Sequence, residues 1–457
     1  MGTVSDMGGL AFAGLIFLSL LATDIQGQEF GDAQLVYEWT SLEFDWPSEK
    51  HRNESLGNGT YVPNRNMVAG IKVYKDSVFV TIPRWFWTSG HPVTLAKVVT
   101  VRGEEKLSAY PTWAAQIQGD CNALQYVQGM EIDPNTGLMY VIDTGRVGDK
   151  LNLCPAKLVV FDLNTNSQHK KYELPTIVAS YTSNFMNDIV LDYVGGKARF
   201  AYISDANDAH LIVVDLTTGK SWKIQHESMG IESKHAEMVT INNITYTISV
   251  ALDGLAMSPD FKYLYYCSLA GFNLYQIPTS SLRTGKTDGI RLIGSKVSQS
   301  GGIGYGSKFL YYGALGLNAV YYWDSDKDMA DQNVGMDKVT LATEKLLVRN
   351  DSTMQWPDTF GFDTRGWIWF VSNRLQVFRE AKGLPQDGND AYMRVWKVYV
   401  NETGYLYQSA RRTEGTSLEQ EGNGSESCFS YTLKTFFFHL FAMFIGAVLV
   451  IPEMTHS

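Results

Sequence analysis

Three apolar strands in this chain end on a side chain that can hold a ligand or move a proton. Met139-Tyr-Val-Ile-Asp143 and Ala201-Tyr-Ile-Ser-Asp205 end on carboxylates, and Trp367-Ile-Trp-Phe-Val-Ser-Asn373 ends on an amide. A carboxylate beside aromatic walls would hold an ammonium and the ring attached to it. A site that moves a proton would also need a base next to the acidic proton of its ligand. Asp143, Asp188 and His210 are of the right type, and the sequence does not rank them. If Asp143, Asp205 and Asn373 converge on one mouth, a small-molecule pocket is expected there. Asp205-Ala-Asn207-Asp208 could also offer oxygens to calcium, or simply close a turn.

Other motifs fall short. No nucleophile elbow, His-Glu-x-x-His, P-loop or Cys-x-x-Cys occurs. Gly302-Ile-Gly304-Tyr-Gly306 precedes no helix and reads as a turn. Asp324-Ser-Asp326-Lys-Asp328 begins like a calcium loop, but Met329 stands where glycine is required and Gly335 where glutamate is required. No metal and no cofactor is expected. Trp85-Phe86-Trp87 reads as packing between blades rather than a binding platform.

The elements that would position these groups form a repeat. Copies start near Gly70, Gly129, Asn187, Gly254, Gly302 and Gly361. Each leads from a turn through a short apolar strand to a second strand. Second strand pairs follow, such as Leu158-Val-Val-Phe-Asp-Leu163 and Leu211-Ile-Val-Val-Asp-Leu216. A long repeat built from strands predicts an all-β fold, a six-bladed β-propeller with a central channel. Long helices are not expected. Ring closure would come from a strand near Tyr37 to Phe44 pairing with residues near 394–400.

The expected organisation is a signal peptide at 1–27, a leading segment at 28–65 that closes the ring, the propeller at 66–400, a polar stalk at 401–427 and a hydrophobic tail at 428–457. Leu10 to Ala22 is an apolar run of signal-peptide length. Phe436 to Ile451 is apolar except for His439, which suits a GPI signal or one transmembrane helix. Six glycosylation sequons, at Asn53, Asn58, Asn243, Asn350, Asn401 and Asn423, fit an extracellular chain. Asn53 and Asn58 are expected in a Gly/Asn-rich loop. Cys121 and Cys154 flank one strand motif and are the natural disulfide. Cys267 is either free or paired with Cys428. The formal charge of −10 and the lack of a basic stripe exclude a nucleic-acid partner.

Ala69-Gly-Ile-Lys-Val-Tyr, Val80-Thr-Ile-Pro-Arg-Trp, Gln128-Gly-Met-Glu-Ile-Asp, Val141-Ile-Asp-Thr-Gly-Arg146 and Trp369-Phe-Val-Ser-Asn-Arg-Leu-Gln376 resemble, in order, the Yellow/major royal jelly protein family of insects. The resemblance covers about residues 35 to 400. It implies a secreted six-bladed propeller with roles in cuticle, eggshell or melanin pigmentation. Some relatives are described as converting dopachrome, and some salivary members bind biogenic amines in the channel. Carried over from the amine binders, Asn373 and Thr359 would contact the ligand. Tyr322 stands where the family usually has the second partner of Cys267, and the apolar tail is also atypical.

The functional expectation is a secreted or surface-attached Yellow-like protein whose channel binds catecholic or indolic amines, with dopachrome isomerisation as a possible activity. Membrane attachment would run through the tail. A structural matrix glycoprotein binding other extracellular matrix proteins, and a calcium-dependent propeller lactonase, are the alternatives.

Overall fold

The computed structural model describes residues 30–149, 151–385 and 390–408. Six four-stranded antiparallel sheets follow one another along the chain. Their innermost strands are Ile71–Tyr74, Val127–Asp133, Met186–Val194, Leu252–Met257, Ile303–Tyr305 and Pro357–Phe362. All six line one central channel. The fold is therefore a six-bladed β-propeller.

The repeat owes its glycines to the crowding of these inner strands. A Cβ at Gly129 would run into the carbonyl oxygen of Asn187 in the next blade, and one at Gly302 into that of Asp358. A side chain at either place would push neighbouring blades apart. Blade 6 departs from the expected phase. Its inner strand begins at Pro357, so Gly361 lies near the end of that strand rather than at its start. Blade 5 carries Gly301 and Gly302 where blade 6 carries Asp358 and Thr359.

The ring closes with a strand from the start of the described chain. Gln34–Trp39 pairs antiparallel with Met393–Tyr399, with Glu38 opposite Arg394 and Trp39 opposite Met393. Blade 6 thus takes its outer strand from the other end of the sequence. The chain then crosses to blade 1, where Phe44 makes a bridge to Leu107.

Two segments differ from the sequence-based expectation. Residues Glu49–Asn58 are a helix, not a loop. Ser48 caps its first turn by accepting from the His51 amide, and Gly59 ends it in the left-handed region (φ 75°). Residues 401–407 are not the start of a stalk. They run back under the propeller and plug one end of the channel. Glu402 is buried and accepts from the amides of Lys308 and Phe309 at 2.6 and 3.3 Å and from the Tyr311 hydroxyl. The Tyr405 hydroxyl accepts from the Leu191 amide at 2.9 Å and donates to Glu131 Oε2 at 3.4 Å. A few anchors suffice here because each meets a buried polar group.

Cys121 and Cys154 form a disulfide, and Cys267 is buried and free. Asn53, Asn58, Asn243, Asn350 and Asn401 are all exposed. The signal-peptide segment, most of the stalk, Asn423, Cys428 and the apolar tail lie outside the described residues. Among the described residues, no helix is long and apolar enough to cross a membrane.

Candidate functional site: an acidic channel mouth

The channel is shaped by one backbone device used four times. Each of four inner strands slips register by one residue against its neighbour at the end opposite the plug. The slips fall between Val127 and Met130, Met186 and Ile189, Leu252 and Leu255, and Pro357 and Phe360. Such bulges re-aim side chains and are frequent beside functional sites. The residues within them are Gln128-Gly129, Asn187-Asp188, Asp253-Gly254 and Asp358-Thr359. Three carboxylates therefore gather at one level of the ring.

Asp253 and Asp358 flank the gap left by Gly301. A Cβ placed on Gly301 would lie 3.6 Å from Asp358 Oδ1, 3.8 Å from Leu269 Cδ1 and 3.9 Å from Asp253 Oδ2. The other oxygen of each carboxylate is held. Asp358 Oδ2 accepts from Asn373 Nδ2 at 2.8 Å, and Asp253 Oδ1 accepts from Asn187 Nδ2. Asp188 is held by the amides of Ile189 and Leu255 at 2.8 and 2.9 Å. Two carboxylate oxygens and an apolar methyl thus meet at one point.

Burial and mutual repulsion govern the charge of this group. Burial pushes Asp358 up to about 7 and Asp188 up to about 6. It pushes Asp253 well above the usual carboxylate range, with the charges of Asp358 and Asp188 adding to the effect. Lys72 opposes the shift at Asp188, but its ammonium is already paired with Glu131 Oε2 at 3.0 Å. A cation would be the natural complement to this mouth.

Leu269, the apolar side chain beside the two oxygens, belongs to one buried cluster with Tyr126, Leu315, Trp356 and Phe378 and with Met67 and Val68, which lead into the first inner strand. Tyr126 and Phe185 meet edge to face, with ring centroids 5.9 Å apart. Below the mouth lies a small cavity of about 60 Å³ lined by Asp188 and Thr359, with Tyr405 and Tyr407 as its floor.

The residues expected from sequence fare differently. Thr359 lines the channel and donates to the Ala69 carbonyl at 2.8 Å. Asn373 is fully buried and has no free polar atom. Its amide donates to Val68 O and Asp358, and its oxygen accepts from the Leu375 amide. Through its side-chain amide it holds Asp358. Asp143 does not reach the channel chemistry. Its oxygens accept from the amides of Gln125, Tyr126 and Gly145 and pair with Lys157 at 3.2 Å, so none is left for a ligand. Asp205 caps a loop through one oxygen only, Oδ1, which accepts from the amides of Phe185, Asn207 and Asp208. Both end second strands, one step out from the axis. Of the candidate bases only Asp188 lines the channel. Nothing in the sequence marks Asp253 and Asp358, since Asp253-Gly254 and Pro357-Asp-Thr look like turns.

Among the described residues, the group of three acidic or histidine side chains at metal-ligand spacing lies in blade 3, at Asp205, Asp208 and His210.

Fold and site together define a closed six-bladed propeller whose channel is acidic at one mouth and plugged at the other. The chain belongs to the Yellow/major royal jelly protein family: the family model described as "Major royal jelly protein" matches residues 125–403. It is 26% identical over 395 residues to Protein yellow of Drosophila madeirensis, covering 82% of this chain and 67% of the relative. It is 26% identical over 370 residues to Protein yellow of Drosophila melanogaster, covering 75% of this chain and 64% of that one. The chain thus spans about two thirds of these relatives. Among solved structures, a luciferin-regenerating enzyme aligns with TM-score 0.44 and 11% identity, covering 76% of this chain and 94% of that one.

Proposed function

We propose that this Yellow-like protein is an extracellular glycoprotein whose channel binds catecholic or indolic amines, in the setting of cuticle, eggshell or melanin pigmentation. The observation that carries this reading is the pair Asp253 Oδ2 and Asp358 Oδ1 facing the Gly301 gap beside Leu269. An ammonium would sit between the two oxygens, and the ring would lie against the apolar wall. Exposed sequon asparagines support an extracellular setting. Attachment to a cell surface through the tail, by GPI or one transmembrane helix, remains part of the proposal.

A second reading adds chemistry. A carboxylate with a pKa near neutrality suits a general base, and Asp358 and Asp188 are both raised toward it. Either would take the acidic proton of a dopachrome held by the mouth. Titration calorimetry of the purified protein with dopamine, serotonin and a dopachrome analogue tests the binding reading. Micromolar binding is expected. No heat with any of the three would overturn it in favour of a matrix protein that binds other proteins through its surface. Dopachrome decay no faster with protein than with buffer would remove the second reading.

A further inference from the structure

Blades 2 and 3 carry the same construction at the same register, with one residue exchanged. In blade 2, Asp143 ends the second strand opposite Lys157, the first residue of the third strand. In blade 3, Asp205 stands opposite His210. The blade 2 pair is complete. The Lys157 ammonium reaches Asp143 Oδ2 at 3.2 Å and donates to the carbonyls of Cys121 and Ala123 at 2.9 and 2.8 Å. The cation thus joins the strand-end carboxylate to the loop that precedes the blade.

The blade 3 version lacks that cation. Asp205 is fully buried, and its Oδ2 has no hydrogen-bond partner among the described residues. His210 is shorter than lysine and leaves its Nε2 3.9 Å from that oxygen. The same Nε2 lies 3.0 Å from the Val178 carbonyl, and Nδ1 lies 3.2 Å from the Asp208 carbonyl. If Nδ1 donates to Asp208 O, the Nε2 lone pair faces two oxygens that can only accept. In that tautomer a positive group between them would satisfy all three atoms; in the other, Nε2–H donates to the Val178 carbonyl and Asp205 Oδ2 still has no partner. A histidine whose other ring nitrogen donates to a backbone carbonyl is the usual arrangement of a metal ligand. The Asp208 carboxylate, half-buried and held by the Ser183 hydroxyl at 2.8 Å, falls within the same cluster.

We propose that Asp205, Asp208 and His210 bind a divalent transition-metal ion of the zinc class, with the Val178 carbonyl as a fourth ligand. The metal takes the place that the Lys157 ammonium fills in blade 2. An imidazole with two carboxylates suits zinc better than calcium, which prefers oxygen donors alone. Ligands about 2.1 Å from a tetrahedral zinc lie roughly 3.4 Å from one another. The observed spacings of 3.0 and 3.9 Å fall on either side of that value. The ion would tie the loop carrying Val178 and Ser183 to the end of blade 3. Lys223 lies at the rim of the same depression and is the cationic group that would oppose the ion there. The site is separate from the channel mouth and does not depend on the amine reading.

The test is zinc titration of the purified, EDTA-dialysed protein, followed by calorimetry and thermal unfolding. One equivalent is expected to bind and raise the melting temperature. His210→Lys would restore the blade 2 ammonium, so it is expected to fold, to match the metal-free melting temperature or better, and to weaken zinc binding at least tenfold. Asp208→Asn, at a half-exposed position, is expected to weaken it similarly. No zinc binding by the parent protein would overturn the proposal and assign the gap to a proton on His210. Undiminished binding by both variants would overturn it too, by placing the ion elsewhere.

Discussion

Asn373 donates its amide to Asp358 Oδ2 at 2.8 Å, and this bond leaves Oδ1 as the oxygen that faces the Gly301 gap. The asparagine directly follows the second strand of blade 6, Trp367–Ser372, and the aspartate lies in the bulge of its inner strand. The resemblance to amine-binding relatives points to Asn373 as a ligand contact. In the structure its amide is bonded to the Val68 carbonyl and to Asp358.

Removing that amide should therefore affect both stability and binding. Asn373→Ala strips partners from the Val68 carbonyl, the Leu375 amide and Asp358. Leaving buried groups unpaired costs about 1–3 kcal/mol. Urea unfolding should show that loss, and amine affinity should fall with it because Asp358 is free to turn away.

The raised carboxylates fix the sign of a pH effect. Aspartates in the unfolded chain titrate near 3.9, whereas Asp358 is pushed up to about 7 and Asp188 to about 6. Between those limits the folded protein holds more protons than the unfolded chain. The contribution of these groups is present below about pH 4 and is lost as the pH rises through the folded values. The melting temperature of the ligand-free protein should thus be pulled down by this group between about pH 4 and pH 7. Asp358→Asn should flatten that slope, and an unchanged slope would remove the assignment.

Amine binding should release protons. An ammonium beside Asp253 and Asp358 favours their ionised forms. Near pH 6.5, calorimetry in two buffers of different ionisation enthalpy should give different apparent heats, with a net release of up to one proton. Identical heats would mean that the ligand sits away from the raised carboxylates.

The plug should contribute to global stability. Tyr405→Ala empties a buried position and leaves the Leu191 amide without its acceptor. Large-to-small changes of this kind cost roughly 3–5 kcal/mol. Denaturant unfolding should report a loss of that order. A negligible loss would return residues 401–407 to the role of a stalk.

Much of this architecture is legible in the residues because it rests on sterics. The glycines near the starts of the inner strands recur because the next blade crowds that backbone, as Gly129 and Gly302 show. The paired cysteines flank the strand motif they staple. The chemistry is less legible. A two-residue alternation cannot say where a side chain points once a bulge intervenes, so Asp253 and Asp358 pass for turn residues. Asp143 and Asp205 look like channel groups because they end apolar strands, but those are second strands whose ends are closed by backbone amides. The plug hides in a polar composition because its anchors, Glu402 and Tyr405, are single residues. Helix Glu49–Asn58 is outwardly polar on most sides and is marked chiefly by its Ser48 and Gly59 caps.

The most direct test compares a charged and an uncharged ligand on one substitution. Binding of dopamine and of neutral 4-methylcatechol would be measured at pH 7.5 on the parent protein and on Asp358→Asn. The account predicts that the substitution weakens dopamine at least about tenfold, equivalent to about 1.4 kcal/mol, and leaves the neutral catechol unchanged. Dopamine that binds both proteins equally, or neither, would contradict it.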